Sequence, residues 1–199
     1  MTIVLSGALS GPWGASMSVI RFATARALFE AFPEVSDIVK LKPAEQAPID
    51  FVKVLISAGK LPEAVAFCAY LLPRRESVWW ACTSVKTLAD DIARNRPDGL
   101  LAAESWVYQP DDQRRQHALQ IGDHGDRKDP ATWLALAAGW SGGSQIIGAQ
   151  PTPIAPYMTP RASRVAILLS AAKVGGAERM SRLRRCIAEA LKLAEHGLG

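Results

Sequence analysis

The chain has 199 residues, 49% of them hydrophobic and 21% charged. That balance excludes an intrinsically disordered protein and leaves enough apolar surface for one buried core. A net charge of +4 is too small an excess to mark a nucleic-acid binder.

The three cysteines, Cys68, Cys82 and Cys186, are odd in number and isolated among apolar residues. They read as buried, reduced thiols of a cytoplasmic protein rather than as a disulfide framework. The longest apolar runs, such as AVAFCAYLL and WLALAAGW, fall short of the ~20 residues a membrane-spanning helix needs. Residues 1–16 are rich in glycine and serine and lack a basic segment, so they are expected to be a flexible leader. The remaining residues, 17–199, form the expected helical domain.

In chain order, SVIRF at 18–22 is the one candidate strand. Thr24 then caps a short helix bearing Leu28, Phe29 and Phe32, which Pro33 ends. Pro48 suits the first turn of a second helix, with Phe51, Val52, Leu55 and Ile56 in one stripe and Gly59 at its end. Pro62 opens a third helix, apolar nearly all round and therefore central. Pro73 breaks that run. On a helix over 74–93, Val78, Ala81, Cys82, Val85, Leu88, Ala89 and Ile92 fall on one apolar face. Trp79 flanks this face and is expected in the core. Trp80 falls on the side of Glu76, Ser84 and Thr87 and is left for a neighbouring helix or a partner.

After a break at RNRPDG, LLAAESWVYQ reads as a short helix and PDDQRRQHALQIG as a polar one with acidic residues in its first turn. DHGDRKD is a turn. Asp129 and Pro130 launch the helix ATWLALAAGW. The stretch 141–158 is a Gly/Pro-rich connection. Thr159 and Pro160 repeat the cap-plus-proline signal, and a last helix runs from Ala177 to Glu195. Its expected inner face is Met180, Leu183, Ile187, Ala190, Leu191 and Ala194. The fold class is therefore all-α, a single domain of about eight short antiparallel helices in an irregular bundle of helical hairpins.

No catalytic constellation stands out. GDHGD at 122–126, with His117, offers Asp123, His124 and Asp126 to a metal-assisted hydrolase, but a metal needs three or four converging ligands. WSGGS at 140–144 lacks both the order and the preceding strand of a nucleophile elbow. Neither a cofactor nor a metal site is expected. The arginines of the last helix alternate with Glu178, Glu189 and Glu195, which reads as a solvated face rather than a nucleic-acid contact.

Four segments carry a resemblance: RFATARALFEAFPEV at 21–35, FCAYLLPRRESVWWAC at 67–82, WLALAAGWSGGS at 133–144 and MTPRASRVAILLSAA at 158–172. Together they are similar to an uncharacterised proteobacterial family, a domain of unknown function associated with type VI secretion gene clusters. The resemblance brings no catalytic residues. It implies an accessory role in which a secretion component or effector is the protein partner.

The expected function is thus a non-enzymatic helical adaptor, with the metal-assisted hydrolase and an immunity-type binding protein as alternatives. Arg74, Arg75, Trp79, Trp80 and Trp140 are the candidate partner-binding residues, because exposed tryptophan with arginine has the composition of an interface hot spot. A homo-oligomer remains compatible with the sequence.

Overall fold

Caps and prolines start the helices Ala25–Ala31, Pro48–Ser57, Leu61–Leu71 and Pro130–Gly139 where the sequence places them. The computed structural model describes residues 18–147 and 150–198, with backbone alone over 145–147. The expected leader at 1–16 lies outside the described residues. In order, the elements are α1 (Ala25–Ala31), α2 (Val35–Ile38), α3 (Pro48–Ser57), α4 (Leu61–Leu71), α5 (Arg74–Leu88), α6 (Asp90–Asn95) and α7 (Asp98–Tyr108). They are followed by α8 (Asp112–His124), α9 (Pro130–Gly139), β1 (Ser144–Ile147), β2 (Gln150–Pro153), α10 (Met158–Ala172) and α11 (Gly176–His196). The protein is all-α, a single compact domain around one buried apolar cluster.

Local chemistry explains several helix starts. Thr24 Oγ1 accepts from Ala27 N at 3.1 Å, and Asp129 Oδ1 accepts from Ala131 N at 2.9 Å. Both satisfy an amide that the first helical turn leaves without a partner. Pro48 and Pro130 occupy first helical turns. Gly59, at φ +73°, closes α3 in the left-handed region.

α4 is the centre. Leu61 and every residue from Ala64 to Leu71 are buried, and α2, α3, α5, α10 and α11 surround the helix. The second half packs α7, α8 and α9 together, and α9 also lies on α10. Small residues allow the close approach of α8 and α9. A methyl group at Gly122 would come within 2.7 Å of the Leu136 side chain, and one at Gly139 within 2.7 Å of Leu119 Cα. Each helix thus seats a leucine of the other over a glycine, and the GDHGD stretch has this packing role at Gly122.

Several expectations need correction. The single helix over 74–93 breaks at Ala89, whose φ −130° and ψ 93° are extended. The break is tertiary in origin: Arg182 of α11 donates to the carbonyls of Thr87 and Leu88 at 2.9 and 3.4 Å, which replaces the amides a continuous helix would supply. With the short α2, this break adds two helices to the nine segments read from the sequence, giving eleven among the described residues.

SVIRF at 18–22 forms no strand. Val19 N instead donates to Ala194 O at 3.0 Å, so this stretch lies along the end of α11. The connection at 141–158 contains an antiparallel hairpin, in which Ser144 pairs with Pro153 and Ile147 with Gln150. Thr159 is not a cap, because α10 begins at Met158; its hydroxyl donates to Ala137 O at 3.1 Å and ties α10 to α9. Met180 is 39% exposed rather than internal, and Cys186 takes a place on the inner face of α11.

Candidate functional site

Pro73 ends α4 and directs two arginines in opposite directions. Arg74, half-buried, donates from Nη1 to Ser141 O at 2.9 Å, the carbonyl immediately after Trp140. Arg75, exposed, donates from Nε to Val107 O at 2.8 Å, in the last turn of α7. Each guanidinium therefore satisfies a carbonyl at or beyond the end of a helix.

Of the two adjacent tryptophans, Trp80 takes the first of its two expected places, under a neighbouring helix, and Trp79 is less buried than expected. Trp80 is 1% exposed, and its indole Nε1 donates to Cys186 O at 2.7 Å. It faces α11 and offers a partner nothing. Trp79 is half-buried, with the Lys86 ammonium 5.8 Å from its ring centroid. Trp140 is also half-buried and meets Trp133 edge-on at 6.4 Å, while the Arg127 guanidinium lies 5.7 Å from the Trp133 ring. The five predicted residues are thus not one patch. Arg75 reaches the last turn of α7, and Trp79 lines a pocket with Glu189, Lys192 and Leu193 of α11. Arg74 reaches the carbonyl after Trp140 at the exit of α9, and Trp80 is core.

The candidate hydrolase residues are spread along α8 and its exit. His117 is exposed. His124 Nδ1 is 2.8 Å from Gln120 O, and Asp123 sits 3.8 Å from Arg127. Asp126 accepts from Lys128 N at 2.9 Å. Among the described residues, no group of three or more His, Cys, Asp or Glu is placed to hold a metal ion.

On α11, Arg182 pairs with Glu178 at 2.6 Å and with Asp90 at 3.4 Å. Arg179 donates to Val174 O at 2.9 Å. Two of the basic side chains on this helix are therefore spent on the protein itself.

Two features escape the sequence reading. One is an exposed row on α7: Tyr108 is 87% and Leu101 41% exposed, and Glu104 between them binds Lys86 of α5 at 2.6 Å. The spacing of these residues puts all three on one side of the helix, but nothing in the sequence marks that side as outward.

The other is a pair of cavities that meet at Tyr70, near 390 and 380 Å³. The first is lined by Arg21, Arg74, Phe32, Leu72 and Pro160. The second is lined by Glu34, Asp37, Tyr157, Arg161 and Arg164. Burial, and then the Arg74 charge, lowers Arg21 below the usual arginine range. Burial lowers Arg164 in the same sense. Tyr70 is pushed up to about 12, first by burial and then by the charge of Glu34. The available signal was indirect: three of the four segments carrying the resemblance, 21–35, 67–82 and 158–172, supply most of these walls.

Fold and surface together define an all-α helical domain. Residues 51–194 match the model of a family of unknown function, DUF6931, and the chain belongs to that family. No curated protein and no solved structure matches the chain. Among the described residues, no helix is long and apolar enough to cross a membrane.

Proposed function

We propose that the domain acts by binding and not by catalysis, as a cytoplasmic helical adaptor that docks another protein in the setting of type VI secretion. The observation that carries the docking reading is the α5–α7 face: Tyr108 (87% exposed) and Leu101 (41% exposed) flank Glu104, which binds Lys86 at 2.6 Å. Lys86 lies over Trp79, and Arg75 reaches Val107 O. Tyrosine, tryptophan and arginine dominate interface hot spots because they combine large contact area with directional hydrogen bonding. Lys86, Glu104 and Arg96 form a charged rim, with contacts of 2.6 and 2.9 Å to Glu104. This composition suits a partner helix with apolar residues and a carboxylate to meet Arg75. The type VI setting rests on the resemblance of the four segments.

The test begins with full-length protein immobilised in host extract, followed by purification of the recovered partner and a binary affinity measurement. Trp79→Ala combined with Tyr108→Ala is expected to weaken that affinity at least about tenfold at a temperature where circular dichroism shows the double variant still folded. Wild-type affinity in the double variant places the surface elsewhere. A partner unrelated to secretion removes the setting and leaves the docking face standing.

A further inference from the structure

The second cavity at Tyr70 holds polar atoms that the fold leaves unsatisfied. Glu34 Oε1 and Arg164 Nε are both buried and lack a hydrogen-bond partner among the described residues. Both line the same cavity of about 380 Å³, yet they form no ion pair with each other. Tyr70, only 1% exposed, lines it as well. Buried polar groups are nearly always paired, so a concentration of unpaired ones in one cavity calls for an explanation.

The arrangement of charge narrows the occupant. Glu34 and Asp37 lie three residues apart, at the start and within α2. Arg161 and Arg164 have the same spacing on α10. The lining therefore carries two carboxylates and two guanidiniums, a balance that favours neither a bare anion nor a bare cation. The phenol of Tyr70 feels the charges of Glu34, Arg164 and Arg161, and its ring lines the same cavity. Ile38 and Tyr157 add apolar wall.

We infer that this cavity binds a small zwitterion, an α-amino acid, whose ammonium group meets Glu34 and Asp37 and whose carboxylate meets Arg161 and Arg164. Guanidinium–carboxylate contacts of this kind are charge-assisted and strong. A site of this type is mostly preformed, with a few convergent polar groups fixing the ligand's orientation. The site is separate from the α5–α7 docking face and uses none of its residues.

The experiment screens the common L-amino acids by thermal shift on the full chain and measures the best of them by calorimetry. Its N-acetyl derivative, which lacks the ammonium, and its amide, which lacks the carboxylate, are measured alongside. Saturable one-to-one binding is expected, with each derivative weaker by at least about tenfold. Glu34→Gln and Arg164→Gln should each weaken the amino acid to a similar extent, and Arg75→Gln should leave it unchanged. If Arg164→Gln fails to fold, Glu34→Gln decides alone. Absence of saturation for every amino acid by roughly 10 mM overturns the inference. So does equal binding of the N-acetyl derivative, or wild-type affinity in Glu34→Gln.

Discussion

The indole Nε1 of Trp80 donates to the backbone oxygen of Cys186 at 2.7 Å, and this bond separates two neighbouring tryptophans into a structural one and a surface one. Trp80→Phe removes the donor and leaves space beside α11. It is expected to destabilise the protein by about 1–3 kcal/mol. Trp79→Phe, at a half-buried site, is expected to cost less than about 1 kcal/mol. Urea unfolding with unchanged m-values checks both; equal losses would contradict the assignment.

The α8–α9 contact predicts a second contrast. A methyl group at Gly139 would press on Leu119 Cα at 2.7 Å, whereas one at Gly142 would meet nothing within 4 Å. Gly139→Ala should therefore cost about 1–3 kcal/mol through overpacking. Gly142→Ala should be neutral or stabilising by up to about 1 kcal/mol, because it restricts the unfolded chain. Thermal unfolding of the two variants separates these outcomes.

Arg115 joins α8 to the end of α9. It donates to Gly139 O at 3.1 Å and from Nε to Asp112 Oδ1 at 2.8 Å. Its side chain is 10% exposed and that of Asp112 66%, so the buried carbonyl contact outweighs the screened ion pair. Arg115→Met is expected to cost about 1–3 kcal/mol, and Asp112→Ala less than about 1 kcal/mol. A double-mutant cycle reads the coupling between them.

The thiols make stability depend on alkaline pH. Burial pushes Cys68 from about 9 up to about 12 and raises Cys82 and Cys186 as well. The folded state thus holds these protons more tightly than the unfolded chain. Their contribution is complete below about pH 9 and is lost as pH rises toward 12, at a limiting rate of about 1.4 kcal/mol per thiol per pH unit. Denaturant titrations from pH 8 upward should show this decline, and Cys68→Ala should make it shallower. In native protein at pH 8 a thiol-specific dye should report slow reaction at all three sites, becoming rapid on unfolding; fast native labelling would place a thiol at the surface.

Most helices were legible because their signals are local. Thr24, Pro48, Asp129 and Pro130 act within one turn, and the all-round apolar character of 62–72 requires a central position whatever surrounds it. The choice left open for Trp80, neighbouring helix or partner, has a different origin. Its face of α5 also carries Ser77 and Ser84, which read as polar but are 0% and 3% exposed. Ser77 Oγ donates to Ala69 O at 3.2 Å and accepts from Ser163 Oγ at 3.1 Å, so its polarity is answered from α4 and α10. The break at Ala89 depends likewise on Arg182, more than ninety residues later. The cavity at Tyr70 was illegible for the same reason: its carboxylates and guanidiniums come from α2 and α10, and no short stretch of sequence contains both.

From Ala64 onward α4 has no side left to water, so it has no stable existence apart from its neighbours. Helices that would be marginal alone must therefore assemble together. A protease should find either the intact molecule or a chain open along its whole length, and no trimmed fragment that keeps half of the helices folded.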